Sequence, residues 1–466
     1  MQTIATAAEA SVSRELADFL TTVTFDDLPS QVREDTSRSV LDWLGSVVAG
    51  AFEPPARLAQ QVIAGLGRSD EATVFGAGRS SAGGAALANG VASHILELDD
   101  VHKASTLHPA APVIPAALAT AEREHSNGRS FLAAVAGGYE CALRIGEAVN
   151  PSHYRFWHPT GTAATFGAAA AAGLLMKLDS KQMLDALGSA GTQAAGLWEF
   201  NADGAMSKHL HPGKAAFNGL LAADLARVGF TGATRILEGE RGFFRATSTS
   251  YDASRITEGL GTVWKISENC YKLYSCCGHT HAAIDVVIEL LADRRWSADD
   301  VLRNVADVHI ETYGPGYEIV KEMNPRTPYQ GKFSLAYVVS AALLERKVGL
   351  EQFSEDRFGP AGVLDARLAG LLRRTRVTVS DDLTKKYPAA WPARITVTLK
   401  DGTVLRASSD YPRGNPENAV STAELEAKFL ALVKPRLGPS RADAALHAVR
   451  QVERCRDMAS LFSSFE

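Results

Sequence analysis

Arg394-Ile-Thr-Val-Thr-Leu-Lys-Asp401-Gly402-Thr-Val-Leu-Arg406 alternates apolar and polar residues on both sides of an Asp-Gly pair. Side chains of a strand point to opposite faces in turn, and Asp-Gly accommodates the left-handed backbone of a tight turn, so this stretch predicts a β-hairpin. Val305-Ala-Asp-Val-His-Ile-Glu-Thr312 and Arg376-Val-Thr-Val-Ser380 alternate the same way, which makes the region after about residue 300 the source of a sheet. Helical spacing accompanies it at 281–291, 333–344 and 364–372. The chain before residue 265 reads differently. Val40, Leu44, Val47 and Val48 fall on one face of an amphipathic helix. Similar spacing recurs around 82–98, 111–124, 130–149, 161–176, 181–195 and 212–227, and again at 422–433 and 441–452. The predicted fold is mainly α: a large all-helical domain formed from both chain ends, 1–267 and 411–466, with a smaller α+β lid domain inserted at 268–410. A small ligand is expected in the cleft between them.

With 466 residues the chain exceeds one ordinary core, and 46% hydrophobic with 22% charged residues is the composition of a folded globular protein. A net charge of -5 with both signs interspersed provides no basic field for nucleic acid or an anionic membrane surface. Any anionic ligand must therefore be held by a local cluster. Five cysteines, an odd number in a long chain, do not form a disulfide framework and predict a reducing, cytoplasmic setting. The opening Met-Gln-Thr-Ile-Ala-Thr-Ala-Ala-Glu lacks the cationic start and apolar run of a signal peptide. The uncharged run from Gly161 to Met176 falls short of the roughly 20 residues that span a bilayer, and predicts a packed core helix of a soluble protein.

Titratable groups are densest in His94-Ile-Leu-Glu97-Leu-Asp99-Asp100-Val-His102-Lys103-Ala-Ser-Thr106-Leu-His108-Pro109, which holds three carboxylates and three imidazoles. Apolar spacing predicts a helix over 86–101 that carries His94 and Glu97 on one face. Pro109 leaves His108 on an extended or turning segment. Acids delivered beside a loop histidine suit proton transfer. The competing reading is a solvated acidic helix end.

Three further segments concentrate polar chemistry. Arg155-Phe-Trp-His158-Pro-Thr160-Gly161-Thr162 precedes an alanine-rich helix, whose free N–H groups favour an anion; the alternative is a simple threonine cap. Ser207-Lys208-His209-Leu-His211-Pro-Gly213-Lys214 opens another helix, as a cationic site or a solvated basic turn. Asn269-Cys270-Tyr271-Lys272-Leu-Tyr274-Ser275-Cys276-Cys277-Gly278-His279-Thr-His281 lies at the predicted domain junction. Its spacing matches no Cys-x-x-Cys pair or two-histidine helix motif, so no metal is assigned. Proton transfer fits better, with Lys272 as charge partner or acid and Cys277 or His279 titrating beside it. Cations near Cys277 are expected to lower its thiol toward neutrality; the alternative is a small buried residue beneath the lid. Phe75-Gly76-Ala-Gly78-Arg79-Ser80-Ser81 has no phosphate-loop ending and reads as a turn, and Lys332-Phe333-Ser334 reads as a helix cap that contributes to the cleft.

Together these segments resemble the MmgE/PrpD family, the group that includes 2-methylcitrate dehydratase and cis-aconitate decarboxylase. The resemblance rests on Ser39-Val-Leu-Asp42-Trp-Leu-Gly45, Ala88-Asn89-Gly90 leading to His94 and Asp99-Asp100, His108-Pro109, His158-Pro-Thr-Gly161, Lys208-His-Leu-His211-Pro-Gly213, Lys272-Leu-Tyr and Lys332-Phe-Ser334. It implies a helical domain with an α+β lid, a homodimer, and cofactor-free chemistry on a small di- or tricarboxylate. Glu97, His108, His158, Lys208 and Lys272 are implied to line the site. With Cys277 these give the catalytic candidates Lys272, His108, His158, Lys208 and Cys277, and the substrate-binding candidates Glu97, Thr160, His279 and Lys332. Glu97 and Val101 stand where many relatives look like Asp and Thr, and Cys277 where the decarboxylase branch looks like His. The expected activity is a hydro-lyase like 2-methylcitrate dehydratase. Epimerisation of an iminodisuccinate-like dicarboxylate, decarboxylation, and an inactive carboxylate-binding homologue are the alternatives.

Overall fold

A computed structural model describes residues 11–67 and 69–462; the opening nine residues, read above for a leader, lie outside the described residues. The protein is mainly helical with small sheets. Ser30–Gly50, Ala82–His94, Ala110–Arg123, Gly128–Val149, Ala163–Leu175, Ser180–Gly191 and Ser207–Arg227 are the main helices of the first half, and Thr422–Leu437 and Pro439–Arg450 close the chain. Their close approach depends on missing side chains. A Cβ on Gly90 would stand 2.7 Å from the Gly213 Cα, and one on Gly167 would stand 2.5 Å from the Gly138 carbonyl oxygen. The Gly90–Gly213 crossing seats helix Ala82–His94 directly on helix Ser207–Arg227, whose first turn carries Lys208.

The hairpin expected at 394–406 is present as strands Ala393–Leu399 and Val404–Ser409, with Gly402 at φ 90 in the connection. Val305–Thr312 pairs antiparallel with Ala393–Leu399 and parallel with Thr375–Val379, which completes a four-stranded sheet. Ala393, Ile395, Val397 and Leu399 are buried in alternation, against a core shared with helices His281–Leu290 and Leu335–Glu345. Phe75-Gly76-Ala77-Gly78, read as a turn, lies in a short hairpin of Ala72–Val74 with Gly78–Ser80.

Buried apolar residues form two main clusters. One runs from Leu16 to Tyr271 and resumes from Val420 to Phe462, and the other runs from Cys276 to Leu399. A third, alanine-rich cluster between Ile63 and Ala226 lies among the first-half helices, and a small fourth cluster of Val101, Cys270, Tyr313, Leu383 and Trp391 draws residues from both sides. Strand pair Val101–His102 with Asn269–Cys270 ties the acidic segment to the one that carries Lys272.

One expected helix ends early. Helix Ala82–His94 stops at His94, and Glu97 adopts a left-handed backbone at φ 56, so Glu97 does not share a helical face with His94 as the spacing predicted. Tertiary bonds outweigh local helical preference here. The Asp99 Oδ2 and His94 Nδ1 are 2.6 Å apart, and Asp100 Oδ1 accepts a 3.0 Å bond from the Ala110 amide. The latter serves a free N–H at the start of helix Ala110–Arg123, whose cap residue Pro109 offers no side-chain acceptor.

Candidate active site

Glu97 sits at the centre. It is buried, its Oε1 accepts from Lys208 Nζ, and its Oε2 lies 3.4 Å from Lys272 Nζ. Burial works to raise the Glu97 carboxyl, but Lys208 and Lys272 outweigh it and hold the group well below the usual carboxylate range. Burial likewise works to lower Lys272, and Glu97 and Asp99 overcome it, so Lys272 stays a cation. Lys208 Nζ also lies 4.7 Å from the centre of the Phe333 ring.

The imidazoles stand beside this ion cluster. His108 Nδ1 lies 2.6 Å from the Asp100 carbonyl oxygen, which can only accept, so the Nδ1 proton is fixed and Nε2 keeps its lone pair. Burial pushes His108 down to about 3 and His158 well below its ordinary value, leaving both neutral. His158 contacts His211, Nδ1 to Nδ1, at 3.0 Å, and donates its backbone N–H to the Gly196 carbonyl. His94 and Asp99 form a buried pair behind them, with His94 Nε2 and Asp99 Oδ1 lacking a hydrogen-bond partner among the described residues. His94, Asp99 and His108 converge closely, and the Nδ1 atoms of both histidines lie in hydrogen bonds to oxygen.

Of the expected site residues, Glu97, His108, His158, Lys208, Cys277 and His279 line one small cavity, and Lys272 abuts it through Glu97. Thr160 is set behind it, its hydroxyl oxygen accepting from the His108 amide at 3.1 Å, so it positions His108 rather than facing a ligand. Lys332 faces a neighbouring cleft of about 610 Å³ and donates to the Ile95 carbonyl at 3.2 Å; burial brings its ammonium down to about 8. The thiol of Cys277 departs from expectation. Burial pushes it up to about 11 and outweighs Lys272 and Lys208, so it is protonated near neutrality. His279 is held between Tyr313, whose hydroxyl lies 2.5 Å from Nδ1, and Tyr154, 3.3 Å from Nε2; burial takes it down to about 3.

The cavity is small, at about 20 Å³. Its remaining walls include Phe333, from the Lys332–Ser334 segment expected to contribute to the cleft, and Tyr154, Trp198 and Trp391, which sequence reading did not single out. Nothing in their local patterns distinguishes them from core aromatics, except that Tyr154 immediately precedes the Arg155–Thr162 segment.

Residues 14–256 match the N-terminal domain of the MmgE/PrpD family and residues 274–454 its C-terminal domain. The chain belongs to the MmgE/PrpD family. Among curated MmgE/PrpD-like relatives, the cis-aconitate decarboxylase of Aspergillus terreus is 28% identical, over 97% of this chain and 96% of its own length. The cis-aconitate decarboxylase-like protein oryM of Aspergillus oryzae is 27% identical over 98% and 97%. The human cis-aconitate decarboxylase is 27% identical over 97% and 94%. No described helix is long and apolar enough to cross a membrane.

Proposed function

We propose that the protein is a lyase that acts on a small tricarboxylate by forming a carbanion next to a carboxylate. The observation that carries this reading is the buried meeting of Lys208 and Lys272 on one carboxylate, with Lys332 in the adjoining cleft. Charge that develops on a carboxylate-conjugated carbon is stabilised by preorganised cations in a water-poor cavity. The neutral His108 and His158 are the proton-transfer groups, and the Asp100 carbonyl orients the His108 ring.

Two reactions suit this site. In decarboxylation a C–C bond breaks, carbon dioxide leaves, and the electron pair stays on carbon until a proton arrives. The names of the relatives favour it. In dehydration a base removes the α-proton, the C–O bond breaks, and the hydroxyl leaves as water. Cys277, a protonated thiol, stands where the decarboxylase branch looks like His, which counts against decarboxylation and keeps dehydration as the second reading.

The architecture proposed with it has residues 1–267 and 411–466 as a helical domain and 268–410 as a lid, supported by the two apolar clusters. A homodimer, as the resemblance implies, is testable by the mass of the purified protein in solution.

The function is tested with cis-aconitate and 2-methylcitrate in deuterated water. Carbon dioxide release with one carbon-bound deuteron in the product identifies a decarboxylase, and loss of water alone a hydro-lyase. Deuterium gain without other mass change identifies an epimerase. Absence of turnover and of binding for every polycarboxylate tried sinks the enzyme reading.

A further inference from the structure

Glu97 presents its two oxygens to two different lysines, the bridging arrangement that a bound carboxylate would use. The cavity around it, about 20 Å³, holds roughly one water and has no room for a second carboxylate beside the first. We infer that Glu97 is an internal stand-in for a substrate carboxylate, which occupies Lys208 and Lys272 in the ligand-free protein and gives them up when a polycarboxylate binds. This inference rests on the reading that these lysines receive substrate.

Charge argues for exchange over addition. Asp99 is already paired with His94, so a ligand carboxylate added beside an undisplaced Glu97 would face two buried anions at low dielectric. Exchange keeps each lysine paired. It also explains why one carboxylate is not enough: a monocarboxylate replaces Glu97 with its equivalent and gains nothing, whereas a second or third carboxylate reaches Lys332 in the adjoining cleft. The site is therefore selective for polycarboxylates by competition with its own side chain.

Once released, Glu97 loses what holds its proton off. The cations facing it are Lys208, Lys272 and Lys332, and the imidazoles are His94, His108 and His209. The phenols of Tyr154 and Tyr329 and the thiols of Cys276 and Cys277 also feel its charge, and all four stay protonated. With Lys208 and Lys272 turned to the ligand, burial dominates and Glu97 takes up a proton from solvent. The released acid then stands beside the reacting carbon as a proton donor.

The test uses propane-1,2,3-tricarboxylate, which has neither the double bond nor the hydroxyl needed to react, titrated calorimetrically in two buffers of different ionisation enthalpy. The wild type is expected to bind with uptake of about one proton. Glu97→Gln keeps the shape and removes the competing charge, so it should bind at least about tenfold tighter and lose that uptake. Glu97→Asp, which cannot bridge both lysines, should bind a few-fold tighter and keep the uptake. Binding by folded Glu97→Gln that is equal to or weaker than wild type, with unchanged proton uptake, overturns the exchange. If Glu97→Gln does not fold, Glu97→Asp decides the matter by the same comparison of affinity. Failure of every form to bind the probe instead overturns the carboxylate-site reading on which the inference rests.

Discussion

Glu97, Lys208, His108 and His158, on one side of the cavity, come from segments that join or begin helices of the first half of the chain. Cys277, His279, Phe333 and Trp391, on the other side, come from the part that carries the four-stranded sheet. The first side holds the ion cluster and the imidazole network beside Tyr154 and Trp198, and the second is made of aromatic rings, a protonated thiol and a neutral imidazole, with no charged group lining the cavity among the described residues. Lys272 stands at the seam, just after the strand pair that joins the two. The difference teaches a division of labour. One side brings charge, and the other excludes the water that would weaken it.

The strongest way to break this division is at its seam. Lys272→Met should lower kcat/KM by about 100-fold or more while circular dichroism stays native, because it removes a cation aimed at developing charge. Near-normal turnover in the folded variant would move the chemistry elsewhere. Next in size is Gly90→Ala, which drives a Cβ into the Gly213 backbone and should cost about 1–3 kcal/mol of stability. Activity should fall further than stability alone explains, since the same crossing spaces Lys208 from Glu97. An unchanged urea midpoint would show that the helices part without strain.

Acid should act on both sides together. His108 and His209 on the charged side, and His279 and His281 on the other, are each pushed down to about 3 by burial. Between about pH 6.5 and 3 the unfolded chain binds protons that the folded one refuses, so stability falls as pH falls through that window. Asp100, pushed up to about 7 by burial, has the opposite sign, with its folded state holding a proton that the unfolded chain has lost. Asp42, Glu140 and Asp285 are raised in the same direction as Asp100, but His153, His158 and His211 are lowered as well, and the imidazoles outnumber the carboxyls. The urea midpoint should therefore drop from pH 7 to pH 5, and a flat profile would contradict the burial of these rings.

The smallest effect should be Cys277→Ser. A thiol pushed up to about 11 is a poor base, so the folded variant should keep kcat/KM within about threefold, a change of under about 1 kcal/mol. Loss of most activity would give the second side a chemical role and erase the contrast.

Period-two alternation made the hairpin at 394–406 legible, because nothing in the tertiary structure competes with it. The polar clusters were legible for a related reason, since buried lysines and histidines have few structural excuses. What escaped was conformation set from a distance. Nothing near Glu97 announces a left-handed backbone, which is held by partners on Ser207–Arg227 and beyond Cys270. Trp198 and Trp391 escaped because a ring facing a small cavity and a ring in a core share one sequence signature.

The Gly90–Gly213 crossing has a consequence for how freely the two helices can move against each other. A Cβ on Gly90 would meet backbone of the facing helix, and one on Gly213 would meet the Leu87 carbonyl oxygen together with the Val91 side chain and amide, so moving side chains alone makes room for neither. Two absent methyl groups thus act as a gauge block, which sets how near Lys208 comes to the segment that carries Glu97.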